Sequence, residues 1–558
     1  LFGDGDSECT VNGNCFGSED ANDDGLPDGI SIIDVSAAYN DEATSVAINN
    51  NNDITFMTSL YDGNKYYLQT YQIDSFGEQT AASAALSAIE LTEVHESNDP
   101  GTNQGSAFGV VLHDANDTDN NLHVITSKQV QNSTFTELQT WITQFNSSGS
   151  SDLDGDSYEY DVLKINDHTE SKVNAFSTFM DTDNGNLYVQ SLTNESSEQT
   201  FDLALYNYGY FGVRSTFSSN EKTYSLKADT YNTLSYPSAD TVILPDQSLV
   251  SAIVKDDNST LSIFIKRQTE SGASYTGAEL PTGSMTISKG SSSDLVINKV
   301  LHDADNSRLY IIGKDNEYTA YAQTLVIGID TSATPWSELF HVNVDISNRS
   351  GPSEGLDAVL LADGSVVIAG GVEQASGYYH GFVTKFNVDA DGNTTDNITG
   401  ISGGVIGDLE VDPVFDNDGD DDGAILLDLT NAAGHNDIAK IEVTSDSSLI
   451  VLAKTFTPEA TNLLKLIPDS NLAYSWDLDF NDEHEATYSQ TLPLGNWYPN
   501  LTGLSQSGFN GTGLIKDIKV IGSDLWLAGS ADFSLIELGF VGKFDVETGN
   551  ADATFGQF

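Results

Sequence analysis

Hydrophobic and polar positions alternate along this chain in short runs, and one arrangement of those runs keeps returning. An apolar, mostly β-branched run is followed by a turn of Asp, Asn, Gly or Ser and then by a second apolar run. Residues 240–252, 357–370 and 517–529 show it most clearly. Short apolar runs on both sides of residues that tolerate positive φ predict β-hairpins. Weaker copies begin near Val46, Val110, Ala175, Ile297 and Ile441. One anchor from the second run of each copy gives Ile54, Leu122, Leu187, Leu249, Leu309, Val366, Leu449 and Leu525. Successive anchors are 68, 65, 62, 60, 57, 83 and 76 residues apart, so the period is about 67 with insertions late in the chain.

A third strand-like run follows each hairpin, at 67–73, 138–145, 201–206, 261–265, 324–329, 382–388, 463–467 and 540–546. No window carries sustained helical periodicity. Three strands with a fourth outside them make a propeller blade, a unit that cannot bury both of its faces without neighbours. The pattern therefore predicts an all-β, eight-bladed β-propeller over residues 36–558, preceded by a short extension over 1–35. The longest insertions, 396–436 and 470–512, are the loops most free to carry a site. A closed ring also needs its ends joined. The outer strand of the last unit is expected from Ile30 to Val35 or, alternatively, from Ala551 to Phe558.

Two units carry a family resemblance. Asp363, Gly364 and Ser365 open a run ending in Ala369, Gly370 and Gly371. Gly381, Phe382, Val383, Lys385 and Phe386 follow, then Asp391 and Gly392. The last unit repeats this with Leu525, Trp526, Leu527, Ala528 and Gly529, then Gly539, Phe540, Val541, Lys543 and Phe544, and closes on Asp552, Phe555 and Gly556. Over roughly 85 residues these units resemble the delta-60 repeat of bacterial surface β-propellers. The resemblance implies an exported, bacterial-type propeller and brings no catalytic residues with it.

Composition narrows the partners. With 84 Asp and Glu against 22 Lys and Arg, the formal charge is −62. Such a surface repels phosphate backbones and anionic headgroups, which excludes nucleic acid and membrane-surface partners. A hydrophobic fraction of 39% is enough for a large core. No window approaches the apolar length of a membrane span, and membrane insertion is not expected. The chain opens on Leu1, which fits a leader already removed. Cys9 and Cys15 are expected to close a small disulfide loop in an exported chain. Acid excess keeps proteins soluble in high salt and holds hard divalent cations, so the expected setting is extracellular or cell-surface, in a marine or saline environment.

Within the extension, Asp20, Asn22, Asp24 and Asp28 offer oxygen ligands at alternate spacing around Gly25 and Gly29. A flexible Ca²⁺ site needs that arrangement. The segment resembles one calcium-binding unit of thrombospondin type 3 repeats, in which a Gly-Leu-Pro-Asp-Gly tail recurs, although such units usually come in series. Asp152, Asp154, Asp156 and Glu159 form a second candidate, and Asp416, Asp418, Asp420 and Asp422 a third. The expected cofactor is Ca²⁺. Turns at His113–Asn116, Asp181–Gly185 and His302–Asp305 also gather acids, but tight hairpins select Asp, Asn and Gly by themselves.

The nine His residues show no zinc spacing, and His484 sits among acids in a loop. There is no nucleophile elbow, phosphate loop or dinucleotide fingerprint. Asn-x-Ser/Thr sequons, such as those at Asn132 and Asn397, occur about as often as chance gives in so Asn-rich a chain.

Two functions follow. The first is a Ca²⁺-stabilised structural or adhesive cell-surface protein, part of a surface layer, filament or adhesin, with other copies of itself or surface proteins and glycans as partners. The alternative is a secreted polysaccharide-acting propeller enzyme, a lyase or glycosidase, with its site where loops of several blades converge. Propellers that carry a quinone or haem come third, since no Cys-x-x-Cys-His is present. On the calcium reading, chelation should lower the melting temperature by several degrees, and a variant carrying Asp20→Ala and Asp24→Ala should lose most of that response. Identical melting curves with and without chelator would count against it.

Overall fold

The computed structural model describes strand backbone between residues 30 and 545. It adds turns and side chains over most of 239–388, 424–476 and 515–548, together with Phe415. The described chain is all-β and pairs into antiparallel sheets of propeller type, most of them four-stranded. Each anchor lies on the second strand of its sheet, for example Leu249 at the start of Leu249–Asp256 and Val366 at the start of Val366–Glu373. Contacts divide the chain into two compact units, residues 1–228 with 499–558, and residues 229–498.

In the first unit, Ile30–Ile33 pairs antiparallel with Ile536–Asp545, with Ile30 opposite Gly542 and Ile33 opposite Gly539. Of the two closing strands expected, the N-terminal one is the one observed on that edge. Cys9, Cys15 and all twelve candidate calcium ligands, from Asp20 to Asp422, lie outside the described residues.

The second unit holds four sheets whose first strands are Ala239–Ile243, Val296–Asp303, Ser353–Leu360 and Asn436–Val443. Each first strand adjoins the next. Consecutive residues of a strand face opposite sides of its sheet, and here both sides are covered. On Arg308–Asp315, Leu309 and Ile311 enter a core shared with the preceding sheet, while Tyr310 and Ile312 enter one shared with the following sheet. Val366 and Ile368 likewise point one way, Val367 and Ala369 the other. That is why these strands read as unbroken apolar runs. Each such side chain contributes about 1.5–3 kcal/mol of burial, and nearly all of those named have no exposed surface.

Three of the four first strands are bulged at equivalent places, between Ile297 and Lys299, Gly355 and Asp357, and Ile438 and Lys440. A bulge presses one backbone onto its neighbour. At Gly313 a Cβ would stand 1.9 Å from the Val296 carbonyl oxygen, and at Gly370 the same distance from that of Glu354. Glycine is required there by close approach. Beyond the bulges, the Asp240 carboxylate accepts the Val300 N–H at 2.7 Å and that of Asp357 accepts the Ile441 N–H at 3.1 Å. Lys299 pairs with Asp357 at 3.0 Å. Carboxylates on one first strand thus stitch the backbone of the next.

The hairpin turns share one device. Asp246, Asp363 and Asp446 each accept the N–H of the Ser two residues on, Ser248, Ser365 and Ser448. The residue between takes positive φ at Gln247, Gly364 and Ser447. The Asp-x-Ser pattern in the sequence is this turn. Burial alone would raise the Asp363 carboxyl, but the Ser365 hydrogen bonds and the Lys385 charge outweigh it and hold the group below its ordinary value.

The insertion after Tyr379–Val388 is not simply loop. Ile401–Val405 reaches back to pair with Ser337–Val344 of the preceding sheet, and Leu409–Val411 returns to its own. Each covers part of the outer strand that it joins.

Burial pushes the Asp240 carboxyl up from 3.8 to about 6, against the opposing pull of the Val300 N–H and Lys299. A raised carboxyl means that the folded chain binds the extra proton, so this group's contribution is intact below about pH 4 and is lost as pH rises through about 6. Asp240→Asn, whose amide oxygen can still accept from Val300, should therefore stabilise the chain by about 2–3 kcal/mol at pH 7–8 and by nothing near pH 4. Urea melts at both pH values check this.

Candidate functional site

Four ionisable side chains meet between the first two sheets of the second unit. Lys289 ends the outer strand Ser284–Lys289, Asp315 ends Arg308–Asp315, Glu317 follows in the turn, and His341 lies on the outer strand Ser337–Val344. Local hydrogen bonds set them. Asp315 Oδ1 accepts the Glu317 N–H at 3.2 Å, turning the chain back. Asn343 shares the His341 face of its strand, two residues on, and its Nδ2 donates to the Asp315 carbonyl at 2.6 Å. Asn316 Oδ1 accepts from Ser292 Oγ at 3.2 Å and from the Asp294 N–H at 3.1 Å, which fixes the link leaving Lys289.

The Lys289 ammonium contacts the carboxylates of Asp315 and Glu317, the latter at 3.2 Å, and Nε2 of His341. His341 Nδ1 lies 3.2 Å from Glu338 Oε1. These neighbours assign the tautomer: Nδ1–H donates to Glu338, and the Nε2 lone pair accepts from Lys289. The Lys289 and Asp315 side chains have no exposed surface, while Glu317 is 12% and Glu338 24% exposed. Solvent therefore meets the cluster along its glutamates. Tyr321, in the same connection as Glu317, is 54% exposed. The amide oxygens of Asn343 and Gln323 are buried without a hydrogen-bond partner.

Chemically, the cluster combines a cation, two carboxylates on it, and an imidazole oriented by a third. Proton transfer needs such a set. Both Asp315 and Glu317 contact the same ammonium, so the surroundings do not set one apart as acid and the other as nucleophile, the division that glycoside hydrolysis uses.

None of these four residues was a sequence candidate. The His residues show no motif because His341 finds Lys289 52 positions away through the packing of two sheets. The acid-rich turn at His302 is a hairpin: Asp303 accepts the Asn306 N–H at 3.0 Å and its Nδ2 at 2.8 Å.

No family profile matches the sequence, and no curated protein does. Among solved structures, a prolyl oligopeptidase from Galerina marginata is similar at 10% identity and a TM-score of 0.35, covering 89% of this chain and 56% of that one. A polysaccharide lyase is similar at 8% identity and 0.33, covering 97% and 95%. A sialidase from Streptococcus pneumoniae is similar at 10% identity and 0.30, covering 89% and 84%. The fold rests on the strand pairing, and no residue is carried over from these proteins. The expected structural or adhesive role is corrected: a polysaccharide lyase and a sialidase are among the similar structures.

Taking Asp315 away leaves the buried Lys289 ammonium with the Glu317 carboxylate alone as counter-charge. Asp315→Ala should cost about 1–3 kcal/mol, and Asp315→Ala combined with Lys289→Met should recover part of it. Chemical denaturation of both variants tests this, and equal losses would contradict the pairing.

Proposed function

We propose that this chain acts on polysaccharide, with the Lys289, Asp315, Glu317 and His341 cluster as its reactive centre. The observation that carries the reading is the imidazole itself, held between Glu338 and a buried ammonium. The exposed Tyr321 ring offers the flat apolar surface on which a sugar face can stack.

Of lyase and glycosidase chemistry, the groups suit elimination from a uronate-bearing chain. The substrate carboxylate takes over hydrogen bonds from Lys289, which frees His341 Nε2. That nitrogen accepts the proton on the carbon next to the carboxylate, and the released pair becomes the ring double bond. The glycosidic oxygen leaves the adjacent carbon and takes a proton from solvent. Lys289 stabilises the negative charge that builds on the carboxylate in the transition state.

With a formal charge of −62, the chain repels such a substrate unless salt screens it. The reading therefore includes a saline, extracellular setting, an eight-bladed ring formed by the repeated units, and Ca²⁺ at the acidic motifs near Asp20, Asp152 and Asp416. Among the described residues no helix is long and apolar enough to cross a membrane.

The test is incubation with uronate and neutral polysaccharides, following both reducing ends and the ultraviolet absorbance of an unsaturated product. Uronate substrates should give that absorbance, kcat/KM should rise with salt, and His341→Ala should lower kcat at least ~100-fold. Reducing ends without unsaturation would move the reading to hydrolysis. No cleavage at all, or full activity in His341→Ala, would overturn it.

A further inference from the structure

An ammonium presents three N–H donors, and three acceptors surround that of Lys289: the Asp315 and Glu317 carboxylates and His341 Nε2. The three acceptor atoms lie within 4.8 Å of one another. One imidazole nitrogen and two carboxylate oxygens converging on a point is the donor set of a three-ligand site for a divalent transition metal ion. The would-be ligands are themselves held in place. Glu338 takes the far nitrogen of His341, as it would for a ligating imidazole, and Asn343 donates to the Asp315 carbonyl. Two further buried oxygens, those of Asn343 and Gln323, have no hydrogen-bond partner, so the pocket is richer in lone pairs than in donors. Gln323 stands opposite Asp315 in the strand register. A cation is what this surplus calls for, and the chain supplies one of its own.

We propose that Asp315, Glu317 and His341 form a divalent-metal site whose ion is replaced by the Lys289 ammonium, so that removing this one charge turns the cluster into a metal centre. The Lys289 stem arrives from the preceding sheet, so the tethered cation also locks the two sheets together. A free ion would bind them less directly. The inference stands on the donor geometry and does not depend on the polysaccharide reading.

Lys289→Met keeps the length of the stem and deletes the charge. The probe is Co²⁺, whose visible absorption is strong in a tetrahedral nitrogen–oxygen site and weak at exposed carboxylates. The Lys289→Met protein should take up one equivalent with a tetrahedral band and bind at least tenfold more tightly than wild type. Adding His341→Ala should abolish the band, and the wild-type chain should lack it. Zn²⁺ should compete the Co²⁺ away. No band in Lys289→Met, the same band in wild type, or a band that survives His341→Ala would each overturn the proposal. Should Lys289→Met unfold in chelator, refolding with Zn²⁺ becomes the readout: recovery of the melting transition supports the site, and failure to recover overturns it.

Discussion

The two inner sheets of the second unit are packed on both faces, and most other features of that unit answer to this constraint. A strand with no face to give to water cannot alternate apolar and polar residues. It must be apolar throughout and rely on its neighbours for cover. Ile311 and Ile312 are adjacent in sequence and belong to different cores. One sheet alone would expose half of its apolar surface, so the units are stable only in series.

The carboxylates at the turns and on the first strands appear in a fixed pattern. Asp240 and Asp357 take backbone N–H groups of the next sheet. Asp246, Asp363 and Asp446 take those of their own turns. Asp240 and the turn aspartates respond oppositely to acid. Burial dominates at Asp240 and at Asp437, both raised to about 6, whereas hydrogen bonds and nearby basic groups win over burial at the turn aspartates, which are lowered. Residual stability thus depends on pH from both directions.

Much of the fold was legible because it is local and repeated. Leu249, Leu309, Val366 and Leu449 fall on second strands because a hairpin is written in consecutive residues. The cluster at Lys289 was illegible for the converse reason. Its members come from two sheets, and nothing near His341 in sequence distinguishes it from the other eight histidines. The insertion was half-legible: its length marks it, but its polar composition conceals that Ile401–Val405 completes a sheet begun more than a hundred residues earlier. The acidic motifs were sharply legible, and their residues lie outside those described.

That late-arriving strand bears on synthesis. The segment carrying His341 leaves the ribosome well before residues 401–405 do, and three strands of the next sheet emerge in between. Until then its outer margin has unpaired amides on offer to any other nascent chain. Crowded expression should therefore favour misassembly at that margin, and slow elongation over 345–405 would prolong the vulnerable interval.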